Sequence, residues 1–158
     1  MNTSHSLRVR NATPADIPAM MELERNCATA AHWTDHQYQQ MFQGGDGGTL
    51  SQRLALVVEE DSTLAAFLIA HRLDAEWELE NVVVDPAFRR KGVGTELLDE
   101  LLAQARAANA KFVFLEVRES NDAARAFYLK SGFEENGQRK GYYRSPLEDA
   151  ILYRRSLV

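Results

Sequence analysis

One cysteine, Cys27, and four histidines are all that this 158-residue chain brings to thiol and imidazole chemistry. A single thiol excludes an intrachain disulfide and any cysteine-rich metal cluster. His5, His32, His36 and His71 lack the spacing of a zinc protease; His32 and His36, four apart, could share a helix face but have no third ligand, so no metal is expected. Long apolar runs are also missing. The longest, Leu64 to Ala70, suits a buried strand and is far too short to cross a bilayer, so no membrane role is expected. Met1 to Arg10 lacks the apolar stretch and small-residue cleavage site of a secretory signal, which points to a cytoplasmic location. Basic charge is not in excess: 18 Lys and Arg stand against 23 Asp and Glu, a net charge of −5 that argues against nucleic acid as a partner.

What is present is an ordinary globular composition, 45% hydrophobic and 26% charged, at a length that suits one compact domain over residues 1–158 with a substantial core. Thr13-Pro14-Ala15-Asp16 carries a capping residue, a first-turn proline and an acid near the positive end of the dipole, and so predicts a helix start, with the helix running to about Ala28. Trp33-Thr34-Asp35 predicts a second start. That helix has to stop before Gly44-Gly45-Asp46-Gly47-Gly48, read as a mobile loop. Arg53 to Glu60 and Leu64 to Arg72 read as an antiparallel hairpin turning at Asp61-Ser62, and Leu79 to Val84 as a third strand closed by Asp85-Pro86.

The period then lengthens. Val93, Leu97, Leu98, Leu101, Leu102 and Ala105 fall on one stripe of an amphipathic helix. Phe112 to Val117 is a short apolar strand, so strand, helix and strand in succession imply a parallel crossover. A further helix starts near Asn121, with Ala124, Phe127, Tyr128 and Ser131 on one face and Gly132 as its left-handed end. Phe133 resumes a strand, and Glu148 to Leu157 forms the last one. The pattern is α/β, antiparallel strands mixed with a parallel unit under helices.

Arg89-Arg90-Lys91-Gly92-Val93-Gly94-Thr95 places three cations and two glycines just ahead of the amphipathic helix. Free N–H groups at a helix start carry partial positive charge, and glycine lets an anion approach the backbone, so the stretch suits a phosphate. A solvated turn would use the same residues. A nucleoside-triphosphate loop is excluded because Gly94 is followed by Thr95-Glu96, and a dinucleotide fingerprint because Leu97 occupies its third glycine position.

From Val82 through Val83-Val84-Asp85-Pro86 to Gly94, the chain resembles the GNAT superfamily of acyl-CoA N-acyltransferases. Their signature is Arg or Gln, two residues, Gly, one residue, then Gly or Ala, after a Val-rich strand and Asp-Pro. Asn121, Ala124, Phe127-Tyr128 and Gly132-Phe133 are similar to the superfamily's second signature. The resemblance implies a mixed, mostly antiparallel sheet splayed at a central parallel pair, with helices on both faces. It implies acetyl-CoA as co-substrate, its pyrophosphate held by main-chain N–H groups of residues 90 to 95, within the Arg89, Arg90, Lys91, Gly92, Val93, Gly94, Thr95 segment. It further implies that Val82 and Val84 pair with the pantetheine arm and that Asn121 bonds its amide, although Asn121 also suits a helix N-cap.

Making an amide from an ammonium and a thioester moves two protons, which a carboxylate and a phenol can manage. Alternation on the strand from Phe112 puts Glu116 on the side of Phe112 and Phe114, where a carboxylate held out of water makes a proton acceptor; the wet end of a strand or an ion pair with Arg118 is the plainer reading. Glu80, ahead of Val82 and Val84 on one strand face, is the fallback base. Tyr128 reads by itself as a core aromatic with a satisfied hydroxyl.

Within the superfamily, Leu115-Glu116-Val117-Arg118, Ser120-Asn121, Tyr128, Tyr142-Tyr143 and Glu148-Asp149-Ala150 resemble the ribosomal-protein-alanine N-acetyltransferases. That resemblance, good from about Trp77 onward and looser before it despite Trp33, implies Glu116 as base and Tyr128 as the acid at the thiolate. Tyr142 and Tyr143 could wall an acceptor groove or simply pack. The glycine cluster at 44–48 departs from that family. An α-amine with pKa about 8 costs about 1.4 kcal/mol to deprotonate at pH 7, against about 4.6 for lysine, which favours a protein N-terminus as acceptor. A small-molecule amine acceptor, or a non-catalytic domain that only binds coenzyme A, are the alternatives.

Overall fold

The computed structural model describes residues 7–27, 33–42 and 52–158. The glycine cluster at 44–48 and His32 lie outside the described residues. Seven strands and four α-helices are present among the described residues, and the sheet order is β1-β2-β3-β4-β5-β7-β6. Two compact units divide the chain, one made of Met1–Arg72 and Glu80–Leu101, the other of Leu73–Leu79 and Leu102–Val158. Each is described by itself.

In the first unit, β1 (Leu7–Asn11), β2 (Arg53–Glu60) and β3 (Thr63–Leu73) form consecutive antiparallel pairs. The hairpin between β2 and β3 turns at Asp61 and Ser62, both with positive φ, as the sequence predicts. The strand β1 has no counterpart in the sequence reading, since Leu7 and Val9 alternate with arginines over too short a stretch to stand out. Helix α1 spans Ile17–Arg25, preceded by a 3-10 turn at Pro14–Asp16, and so starts later and ends sooner than predicted. Pro18 explains the start: it has no N–H and its ring would collide with the carbonyl of residue 14, so it fits only in a first turn. Asp16 secures this corner, accepting hydrogen bonds from Thr13 N at 2.7 Å and from the Arg10 guanidinium at 2.8 Å.

Helix α2 spans Asp35–Phe42. Ile17, Met20 and Leu23 from α1, Tyr38 and Met41 from α2, and Val57, Phe67, Ile69 and Val83 from the strands form one buried cluster. Strand β4 (Glu76–Val84) begins three residues earlier than predicted, because Trp77 extends the buried series Leu79, Asn81, Val83 backward. Its last five residues belong to this unit.

The second unit takes the first part of β4, which pairs in parallel with β5 (Phe112–Arg118) from Glu76↔Phe112 to Glu78↔Phe114. Both strands run on past the last pair. Helix α3 (Val93–Ala107) makes the crossover between them, and its predicted stripe from Val93 to Ala105 is buried. Strand β7 (Glu148–Ser156) lies antiparallel to β5 on one side and to β6 (Glu134–Tyr143) on the other. Helix α4 (Asp122–Lys130) follows β5 and ends at Gly132, whose φ of +91° is the left-handed end the sequence predicts. The observed class is therefore α/β with a mixed, mostly antiparallel seven-stranded sheet.

Candidate active site

In the first unit, the chain leaves β4 through Asp85, whose carboxylate accepts from Ala87 N at 2.9 Å and ties down a 3-10 turn at Pro86–Phe88. The turn releases Arg89, Arg90, Lys91 and Gly92 as exposed residues immediately before α3. Arg90 and Gly92 both take positive φ, +66° and +76°. A β-carbon on Gly92 would meet nothing within 4 Å, so the space over this backbone is open. Among the described residues, no main-chain N–H from Arg90 to Thr95 has a protein acceptor; the first to find one is Glu96, on Gly92 O at 3.0 Å. Six consecutive free donors, a helix start and three cations make a cradle that fits a diphosphate. The buried Val93 side chain anchors its floor.

Alternation along β4 puts Glu78, Glu80, Val82 and Val84 on a partly open face and Trp77, Leu79, Asn81 and Val83 on the buried one. Val82 and Val84 lie beyond the last pair of the β4–β5 ladder. Glu80 is already engaged, its carboxylate held by the Arg53 guanidinium at 2.9 and 3.3 Å, and Arg53 also lies 5.4 Å from the ring centre of Trp33. That pairing weakens the case for Glu80 as a base.

The sequence reading also missed a buried polar cluster in the same unit. Glu24, 2% exposed, accepts from Tyr38 Oη at 2.7 Å, Trp33 N at 2.9 Å and Asn81 Nδ2 at 3.3 Å. Burial, followed by the Glu24 carboxylate, pushes the Tyr38 phenol well up from its ordinary value, so it remains a donor. The cluster fixes Trp33 against β4. An asparagine on the apolar face of a strand was the available signal.

In the second unit, β5 buries Val113, Leu115 and Val117, while Phe112, Phe114, Glu116 and Arg118 share the half-buried face. Glu116 does share a side with the two phenylalanines, but that side is the wetter of the two. Its ion-pair partner is Arg139 on β6, with Nε 3.3 Å from Oε1; Arg118, the partner in the plainer reading, is committed elsewhere. Arg118 meets Glu148 at 3.3 Å and lies 4.3 Å from the ring centre of Tyr143. Glu148 also accepts from Ser120 N at 2.5 Å, and these bonds, those of Ser120 first and of Arg118 after them, hold its carboxyl below the ordinary value. Tyr142 and Tyr143 contact each other edge-on at 5.1 Å. The negative charge of Glu116, then burial, raises the Tyr142 phenol, while burial first and Glu116 second push Tyr143 up to about 12. Both phenols thus border Glu116.

Asn121 caps α4, its Oδ1 accepting from Ala124 N at 3.2 Å. Its side-chain amide nitrogen is not used by that cap. About two turns further, the Tyr128 ring is buried against Phe127, Phe133 and Tyr153 at 5.2, 5.6 and 6.4 Å. Burial raises its pKa, which keeps it protonated across the neutral range. Among the described residues its hydroxyl makes no hydrogen bond.

Known proteins resemble this chain over most of its length. The sequence model of the Acetyltransferase (GNAT) family matches residues 17–133. The [ribosomal protein bS18]-alanine N-acetyltransferase of Salmonella typhimurium is 36% identical over 139 residues, 87% of this chain and 88% of that protein. Its Escherichia coli K12 counterpart is 33% identical over 154 residues, covering 96% and 95% of the two chains. The crystal structure of the ribosomal-protein-S18-alanine N-acetyltransferase from Escherichia coli superposes with a TM-score of 0.82 at 29% identity, over 96% of this chain and 94% of that one.

Proposed function

The chain belongs to the GNAT family of acetyltransferases and is an N-acetyltransferase enzyme, and from that premise we propose that it moves an acetyl group from acetyl-CoA to the N-terminal α-amine of an alanine-starting ribosomal protein. The observation that carries the donor half is the run of free main-chain N–H groups from Arg90 to Thr95 under Gly92. These donors, with Arg89, Arg90 and Lys91 around them, hold the pyrophosphate, and Gly94 and Thr95 complete the helix start. Val82 and Val84 line the pantetheine arm, and the amide nitrogen of Asn121 donates to it while Oδ1 stays on its cap.

Acetyl-CoA supplies an activated acyl carbon as a thioester. Glu116 takes one proton from the acceptor's ammonium and so frees the nitrogen lone pair for attack within a ternary complex. As the carbon–sulfur bond breaks, Tyr128 donates a hydrogen bond to the departing sulfur. A raised phenol is a weaker acid than a thiol of pKa about 8.5, so Tyr128 stabilises the developing thiolate more than it surrenders its proton. The second nitrogen proton leaves as the amide forms; one of the two protons ends on the departing thiolate by way of solvent and the other goes to water, so one proton is released overall. The α-amine is the acceptor this machinery serves best, because a single carboxylate has only about 1.4 kcal/mol of deprotonation to overcome at pH 7. Relatives that share 33% and 36% identity over most of the chain support the same acceptor class.

The direct test is an acceptor screen that follows thiol release, with alanine-starting peptides, peptides blocked at the α-amine, and small amines such as polyamines. Turnover is expected on the free alanine peptides alone. Turnover confined to the small amines would reject a protein acceptor, and acetyl-CoA binding without turnover on anything would reject an enzyme.

A further inference from the structure

Resting on the reading of Glu116 as the acceptor's base, we propose that Arg139 is a built-in placeholder for the acceptor's ammonium: its guanidinium fills the cation position at Glu116 that the incoming amine takes over, and Arg139 thereby sets acceptor affinity. The register of the sheet carries the argument. Across β5, β7 and β6, Arg118, Ala150 and Arg139 form one row, and Glu116, Leu152 and Gly137 form another two residues along, with the Val117, Ile151 and Gln138 row between them. Two arginines therefore stand two residues along the sheet from the carboxylate, on alternate rows that share a face. Their situations differ.

Arg118 is bound on every side, by Glu148 at 3.3 Å, by the carbonyls of Pro146 and Arg144 at 3.3 and 3.4 Å, and by the Tyr143 ring. Arg139 reaches Glu116 from β6, the last strand in the sheet order, with 56% of its side chain in water against 15% for Glu116. Its only other described contact is the exposed Tyr142 ring, at 5.3 Å. Within the Glu116 row the β6 position, one strand beyond Leu152, is Gly137, which offers no side chain to take the guanidinium's place. The register shift that follows Arg139 is fixed by Asp149, which accepts from Gly141 N at 2.7 Å and Gln138 Nε2 at 2.6 Å. A long cation on a flexible stem thus caps a mostly buried carboxylate through one contact, and a second carboxylate, Glu78, adds to the negative potential at Tyr142.

An ion pair this exposed holds weakly. It is strong enough to keep Glu116 partnered at rest and weak enough to yield to an ammonium arriving with its own contacts. An arginine side chain brings charge and geometry to such a site rather than proton transfer. Arg139 is accordingly a positioning and specificity residue, and its removal should favour the acceptor.

Steady-state kinetics of Arg139→Gln with acetyl-CoA and an alanine-starting hexapeptide test this. The peptide KM is expected to fall about two- to fivefold, the range an exposed pair of this kind spans, with a smaller change in kcat and none in the KM for acetyl-CoA. Arg139→Lys should keep the wild-type peptide KM. In a Glu116→Gln background, calorimetry in the presence of coenzyme A should find that Arg139→Gln no longer alters peptide affinity. An unchanged or raised peptide KM in Arg139→Gln overturns the placeholder while leaving Glu116 as base. Wild-type turnover by Glu116→Gln overturns the base assignment, and the placeholder with it.

Discussion

Tyr128 combines two properties that a packing residue has no need of together: its ring is enclosed by three aromatic neighbours, and its oxygen makes no hydrogen bond among the described residues. Tyr128→Phe keeps the ring and removes only the oxygen. Turnover on an alanine peptide is therefore expected to fall about 10²- to 10⁴-fold, with acetyl-CoA affinity and thermal midpoint close to wild type; Glu116→Gln should behave alike. Turnover within threefold of wild type for both would remove these residues from the chemistry. At this scale the sequence carried identity better than partnership. Alternation placed Glu116 beside Phe112 and Phe114, and helical spacing placed Tyr128 inward. The one ion-pair partner it offered for Glu116, in the plainer reading, was Arg118, because two residues along one strand are visible to a periodicity argument, and a cross-strand arginine on an irregular β6 is not. The triple grip of Trp33 N, Tyr38 and Asn81 on Glu24 was hidden for the same reason: its members are up to 57 positions apart.

At the scale of elements, the start of α4 is held by two devices. Asn121 caps the helix from within, and Glu148, reaching from β7, takes Ser120 N and Arg118. Because the folded environment lowers the Glu148 pKa, the stability it contributes is present above the ordinary carboxylate range and drains away as pH falls through the depressed value. Glu148→Gln should then melt below wild type at pH 7, with a smaller gap at an acid pH below the ordinary carboxylate range. A gap that stays constant between the two pH values would show that the carboxylate's charge is not what holds Ser120. Most elements were legible. The stripe on α3, the hairpin at Asp61-Ser62 and the glycine end at Gly132 all depend on local pattern or backbone conformation. The boundaries that failed had a non-local or a single-residue cause, Pro18 for α1 and the buried Trp77 for β4.

For the molecule as a whole, the proposed activity divides between two stretches of chain: residues 89–95, which run into the first turn of α3, are proposed to hold the diphosphate, and the β5–α4 segment carries the proposed base Glu116 and acid Tyr128. The mixed sheet was readable because its one parallel connection is announced by a change of hydrophobic period, whereas β1, with two apolar residues among arginines, announces nothing. No described helix is long and apolar enough to cross a membrane. The claim on which donor binding rests is that Arg90 to Thr95 grip a diphosphate through main-chain donors, and a pair of calorimetric titrations addresses it most directly. Acetyl-CoA and S-acetyl-pantetheine carry the same thioester and arm, and only the first has the pyrophosphate. Acetyl-CoA should bind with one site per chain, and acetyl-pantetheine at least about 100-fold more weakly, as the loss of two or more charge-assisted hydrogen bonds requires. Equal affinities for the two would contradict the cradle, and with it the reading of the donor site.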